Sequence, residues 1–415
     1  RGIGPTVPTK ARLVESTTAS LPLTASQASG LNRLGQQMAS SSAWWGASAD
    51  EDRAEARSII RCTPSGQGFW DVRVSDAVGA VSVGDLDIVV DPKIPAAHLI
   101  HLLEASNQVP RLGDAEAHLD PDRSFWDLVA RWYIAAMEGL LRRDLVRDYR
   151  RERATLGSVR GTVDVRRTLT NLLKGTVGVT CEFEEFDQNN PLNRVLLAAI
   201  KVVAGSPVLT EALRRRALRI AYRMDGIGTP EPGDGLGALE RRTVHYREPV
   251  ALALHILAGT GRALEHGKLA AHSFLFRTPE LVEEGVRNLL LVGLEGTHQV
   301  VKRGLQLGQS GVSLTPDLVF DGGVATGDVK YKLYKSDWFM SDLYQAVAFA
   351  TAFRARSACV VGFQTASSAR PPSVPVGEVV VTPISWKATN GIPAQESAAT
   401  LVHDVSKWLS AESQN

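Results

Sequence analysis

Cysteine is scarce in this chain: three in 415 residues, at Cys62, Cys181 and Cys359. No two of them form a CxxC pair, which excludes a disulfide framework and a structural zinc site and points to reduced thiols. Long apolar runs are missing too. None reaches the roughly 18 residues needed to cross a bilayer, and the N-terminus lacks the charged-then-apolar pattern of a secretory signal. No membrane association is expected, and the expected location is a bacterial or archaeal cytoplasm. Since Arg1 rather than a methionine opens the chain, a longer native chain is expected. An excess of one charge is also absent. Basic side chains number 46 against 45 acidic ones, a net charge of +1, so a uniformly basic nucleic-acid coat is excluded. The nine histidines show no HExxH spacing, and there is no GxSxG or catalytic-cysteine context. The string GTGRALEHGKLA (259–270) has the wrong glycine spacing for a phosphate loop and no Ser or Thr after Lys268. Any nucleotide-driven step must come from another protein.

What is present is ordinary globular material, 44% hydrophobic and 22% charged, long enough for two or three domains. The expected class is α+β multidomain. Residues 1–110 read as a β-rich domain, because FWDVRVSDAVGAVSVGDLDIVVDPKI alternates apolar residues between glycine turns; a short helix is expected in ASQASGLNRLGQQMASS. Trp44 and Trp45 sit beside small residues and are read as local packing. Residues 111–270 read as a mainly helical region with a β-hairpin. Its first helix follows Ser124 as a cap, with Phe125, Leu128, Val129 and Trp132 at helical spacing. GSVRGTVDV and TVGVTCEFEEF read as strands, and a second helix starts at Asn190 and Pro191. Arginine runs at 142–153, 160–168 and 214–223 are either solvated helix faces paired with local acids or a DNA-facing stripe. Asn190, Asn193 and Arg194 are weaker DNA candidates. Residues 271–415 change to α/β: a helix from Thr278, then strands in THQVVKRGLQL, TPDLVF, VATGDVKYKLY, SACVVGFQ and GEVVVTPI, with a helix in SDLYQAVAFATAF. One central mixed sheet flanked by helices is the simplest arrangement.

The chemistry concentrates in LTPDLVFDGGVATGDVKYKLYK (314–335). Alternate residues of a strand share a face, so Asp328, Lys330 and Lys332 lie on one side of DVKYKL. If the glycines at 322, 323 and 327 fold a hairpin, Asp317 reaches the same edge. Two carboxylates and a lysine then converge. Hard oxygen ligands hold Mg²⁺, or Mn²⁺ in its place; the ion lowers the pKa of bound water and screens a phosphate, while a lysine offsets developing charge. Those residue types suffice for metal-dependent phosphodiester hydrolysis.

PD at 316–317 followed by DVK at 328–330 resembles the PD-(D/E)XK nuclease motif. Further blocks, DLDIVVDPKI near 85–94, RGTVDVRRT near 160–168, CEFEEFDQNNPLNRVLLAAI at 181–200 and DLYQ at 342–345, resemble those of McrC proteins, the nuclease subunits of modification-dependent McrBC (type IV) restriction systems. The resemblance implies a C-terminal PD-(D/E)XK nuclease domain at 271–415. It implies a further acid from the preceding helix, Glu283 with Glu284 as the alternative, so that Asp317, Asp328 and Glu283 hold metal with Lys330 and Gln345 completing the catalytic set. Phe349 stands where the family most often has tyrosine. The resemblance also implies that the N-terminal domain docks on and stimulates a hexameric AAA+ GTPase, McrB-like, which recognises modified DNA and translocates it. Double-stranded DNA is the expected substrate, with contacts at Lys332, Lys335, Arg160, Arg166 and Arg167; cutting both strands would favour a self-dimer on DNA. Two alternatives stay open: a catalytically inert adaptor that activates the motor and holds DNA, and a repair-type nuclease acting alone.

Overall fold

Residues 9–39, 58–66, 68–107, 125–235, 241–259, 262–263, 271–308 and 311–412 are described by the computed structural model. Trp44, Trp45, the Ser124 cap and Lys268 lie outside the described residues. The chain divides into two compact units: Val129–Ala258, and Arg1–Leu128 together with Gly259–Asn415. Segments 1–110 and 271–415 thus share one unit.

A shared sheet accounts for that. The all-buried strand Ala77–Val83 pairs antiparallel with Leu86–Asp91 on one side and with Ala271–Arg277 on the other. Thr9–Val14 adds parallel to Leu86–Asp91, and Arg262–Ala263 closes the far edge. Leu86–Asp91 alternates buried and half-buried residues, as its sequence predicts. A smaller sheet sets Phe69–Val74 between Thr18–Pro22 and Ile60–Gly66. Leu31 and Leu34 of the helix Ala25–Ala39 pack with Ile60, Val72, Val81 and Ile88 to form the core here.

The larger sheet has six strands in the order Val300–Val301, Leu318–Phe320, Ala325–Leu333, Ser357–Gln364, Val379–Lys387 and Val374–Val376. Both parallel and antiparallel pairs occur, so it is a mixed sheet. The helix Met340–Phe353 makes the crossover between the parallel strands Ala325–Leu333 and Ser357–Gln364, as a parallel pair requires. Its Leu343, Ala346 and Ala350 pack on Ala358, Val360 and Val381. The helix Pro279–Gly293 lies against the strand Ala325–Leu333 and against the helix Ala96–Ala105. That last contact is close: a Cβ on Gly285 would stand 2.1 Å from the Leu102 carbonyl oxygen. Glycine is required there by backbone approach rather than by conformation.

In the other unit, Asn190 caps the helix Pro191–Gly205, its Oδ1 accepting from the Asn193 N–H at 3.1 Å, with Pro191 in the first turn. The arginine-rich run differs from its reading as a helix face. Asp148–Leu156 is a strand, antiparallel to Val179–Asp187, and Arg151 and Arg153 stand across from Glu184 and Glu182. The paired acids lie some thirty residues along the chain instead of four. GSVRGTVDV is also mostly not strand. Only Thr162–Val163 pairs, because Gly161 turns the chain at φ +70°, and a helix capped by Asp164 begins at Val165.

Candidate active site

The hairpin of Leu318–Phe320 and Ala325–Leu333 pairs Leu318 with Gly327 and Phe320 with Ala325. Carried one step further, that register sets Asp317 opposite Asp328. Both are buried, at 7% and 3% exposure. A Cβ on Gly327 would come within 2.8 Å of the Cys359 Sγ and 3.1 Å of Leu318, so the small residue lets the two strands and their neighbour close. The Val329 N–H donates to Asp317 Oδ2 at 3.0 Å, which fixes that carboxylate. The pairing of Ala325–Leu333 with Ser357–Gln364 slips between Val329 and Leu333. Such an irregularity re-aims the side chains it carries, and Lys330 and Lys332 fall inside it.

Lys330 Nζ lies 2.7 Å from Asp328 Oδ2. The two form a close ion pair at a buried carboxylate. Burial pushes the Asp328 carboxyl up; Lys330 opposes the rise and Asp317 adds to it. Burial acts against the charge of Lys330, yet Asp328, Asp317 and Glu283 together hold its pKa above the usual lysine value. Glu283, on the helix Pro279–Gly293, is also pushed up, first by burial and then by repulsion from Asp317 and Glu280. Glu284 instead pairs with Arg287 at 3.1 Å. Of the two expected positions, it is Glu283 that shares the field of the other acids.

The structure thus brings together Asp317, Asp328, Lys330 and Glu283. Gln345 is exposed on Met340–Phe353 and makes none of the site's hydrogen bonds among the described residues. Phe349 is buried. Lys332 turns to Asp342, at 2.7 and 3.0 Å, and Lys335 is exposed beside Phe339. In the other unit, Arg160 pairs with Glu185 at 2.6 Å and stacks over Phe183, while Arg166 and Arg167 line a concave surface with Arg153 and Lys174. Asn190, Asn193 and Arg194 are structural. Asn193 Nδ2 donates to the carbonyls of Val146 and Gln188, and Arg194 makes a buried two-pronged pair with Asp234 at 2.8 and 2.9 Å.

Two groups at the site were not singled out from the sequence. Lys302 Nζ lies 3.5 Å from Asp317 Oδ1, a long contact from a half-exposed side chain. Glu280, one turn before Glu283, adds a fourth carboxyl and is paired with Arg277. The i,i+3 spacing of Glu280 and Glu283 was a usable signal; nothing local marked Lys302.

Whether a divalent cation fits can be judged from the donors. The carboxylates of Asp317, Asp328 and Glu283 are hard ligands for Mg²⁺ or Mn²⁺. Among the described residues, however, no three His, Cys, Asp or Glu side chains are arranged to enclose an ion, so the expected set of Asp317, Asp328 and Glu283 is not closed as a chelate. Mg²⁺ commonly takes one or two carboxylates and keeps several waters, and Asp317 with Asp328 suits that mode. No helix among the described residues is long and apolar enough to cross a membrane.

The family model for McrBC 5-methylcytosine restriction system components matches residues 72–361. A chain from a Thermococcus gammatolerans half-complex, refined from a tetradecameric assembly of McrB AAA+ hexamers with bound McrC, covers 96% of this chain and 100% of its own. The TM-score is 0.61 at 15% identity, so what is shared is the fold. A cryo-EM structure of the McrBC complex of the same organism covers 69% and 88% at 15% identity with a TM-score of 0.44, too low to carry an argument. No curated protein matches the chain.

Proposed function

The chain belongs to the McrBC 5-methylcytosine restriction system component family, and we propose that it is the DNA endonuclease subunit, McrC-like, of a modification-dependent restriction system. It works with an McrB-like AAA+ GTPase, on which it docks and whose nucleotide hydrolysis it stimulates. The observation that carries the nuclease reading is the convergence of Asp317, Asp328, Lys330 and Glu283 at one hairpin and one helix.

The division of labour follows from the chemistry. A bound Mg²⁺, held by Asp317 and Asp328 with Glu283 alongside, would supply an activated water and neutralise phosphate charge. Asp317 is locked by the Val329 N–H and so orients without rearrangement. Lys330, kept cationic by three carboxylates, holds a positive charge where a phosphate would enter. Burial of Asp328 and partial burial of Lys330 limit their screening by bulk water.

Cleavage of modified plasmid with Mg²⁺ tests the proposal, with wild type and Lys330→Ala each assayed with and without the AAA+ partner and GTP. Cutting by wild type alone, and only with partner and nucleotide, is the expected result. Stimulation of the partner with no cutting by either protein would make the site inert and the chain an adaptor. Efficient cutting without the partner would make it a nuclease acting alone.

A further inference from the structure

A cavity of about 600 Å³ opens beside the candidate site, walled on one side by the small N-terminal sheet and on the other by the end of the strand Ala325–Leu333. Six cations line it, Arg61, Arg73, Lys93, Arg277, Lys332 and Lys335, with the carboxylates of Glu15 and Asp76; Lys332 is paired with Asp342 and Arg277 with Glu280, which leaves Arg61, Arg73 and Lys335 as the exposed basic groups without such a pair among the described residues. In a chain whose net charge is only +1, that is a local accumulation. Arg61 and Arg73 stand directly opposite each other on neighbouring strands. Like charges so placed are destabilising, and among the described residues neither has a carboxylate within ion-pair distance. Both are exposed. Glu15 is buried, its carboxyl pushed up by burial and its oxygens occupied by the Lys93 N–H and the Thr278 hydroxyl.

The cavity adjoins the site. A smaller recess is lined by Lys330, Lys332 and Phe339, and the last two also line the larger cavity. Phe339 lies 5.2 and 5.3 Å from the ammonium groups of Lys332 and Lys335. Cations interleaved with an aromatic face are what a nucleic-acid strand uses, the cations for phosphates and the ring for a base. Arginine forks suit phosphate oxygens better than a point charge does.

We propose that this cleft carries the phosphate backbone of the DNA strand that runs through the nuclease site, past Lys332 and Phe339 onto Arg61 and Arg73 of the N-terminal sheet. This rests on the nuclease reading of the site. It also gives the N-terminal sheet a task on DNA besides any docking on a motor.

The test is DNA binding by the full chain in EDTA, so that cutting plays no part, read by fluorescence anisotropy of a labelled duplex over a range of salt. Arg61→Gln with Arg73→Gln should weaken binding by about tenfold and lower the salt slope by about 1.8, two phosphate contacts at about 0.9 each. Arg61→Lys with Arg73→Lys should restore most of the slope, which excludes misfolding as the cause. Unchanged affinity and slope in the glutamine variant would overturn the proposal, whatever wild type does in the cleavage assay. So would unchanged DNA binding with lost stimulation of the AAA+ partner, which would make the cleft a seat for an acidic protein surface. Failure of wild type to cut, with the slope change present, would instead overturn the nuclease reading and leave the DNA path standing.

Discussion

Replacing Glu283 with glutamine should stabilise the metal-free protein while removing its cutting. The carboxyl is pushed from 4.5 up to about 8, by burial first and then by Asp317 and Glu280. Between those values the native state holds a proton that the unfolded chain has released. Stability contributed by this group therefore falls as pH rises through that window. The interval from 4.5 to neutral pH is worth about 3 kcal/mol at about 1.4 kcal/mol per pH unit. That is a ceiling, because the side chain keeps some contact with solvent. A gain on the order of 1 to 3 kcal/mol is expected, of the kind that relief of a strained functional site gives.

Urea unfolding in EDTA at pH 7 measures it as a rise in midpoint at unchanged slope. Near pH 4, where the carboxyl is neutral in both states, the two proteins should unfold alike. Mg²⁺ at pH 7 should stabilise wild type more than the variant and narrow the gap. A glutamine variant that is less stable than wild type at pH 7, or one whose advantage persists unchanged at pH 4, would show that repulsion among these acids does not shape the site.

Three further outcomes follow from the packing. Gly285→Ala should destabilise by about 1 to 3 kcal/mol or more, since the added methyl meets the Leu102 carbonyl oxygen and backbone must move; urea unfolding checks it, and a neutral result refutes the close approach. Asp234→Ala removes the two-pronged partner of Arg194, both side chains being 7% exposed, and leaves the guanidinium only the longer contacts to Glu231 and the Asn189 carbonyl; it should cost about 2 to 4 kcal/mol, with hydrogen exchange rising first in Val129–Ala258. His98 accepts from the Trp386 indole N–H on Nδ1 at 3.0 Å, and its Nε2–H donates to the Ile392 carbonyl at 3.0 Å, so the neutral ring is built in. Burial lowers its pKa below 6.5; the native state then binds fewer protons than the unfolded chain as pH falls below that value, and stability is lost there. His98→Gln should be less stable at pH 8 yet show a flatter loss between pH 6.5 and 5, and an equally steep loss would refute the assignment.

Why the sequence disclosed the candidate site better than the architecture is a matter of range. Asp317, Asp328 and Lys330 lie within fourteen residues and one hairpin, so period-2 alternation and a glycine turn were enough to place them together. Glu283 came from the family resemblance, with helical register favouring it over Glu284. The helix at Asn190 and Pro191 was equally legible, because capping and proline act within one turn. The strand Asp148–Leu156 was not: both of its faces carry charge, so no apolar alternation marks it, and its partners are set by pairing with Val179–Asp187. The sharing of one unit by the two ends of the chain rests on the pairing of Phe274 with Ala80 and its neighbours, nearly two hundred residues apart. A strand's own residues record that one face is buried without recording which strand lies beside it. That same long-range pairing sets Arg277, at the end of its strand, and Arg73, just before Ala77–Val83, on the walls of one cleft. The basic cleft beside the candidate site is therefore a property of the sheet, assembled from cations that look unremarkable one at a time.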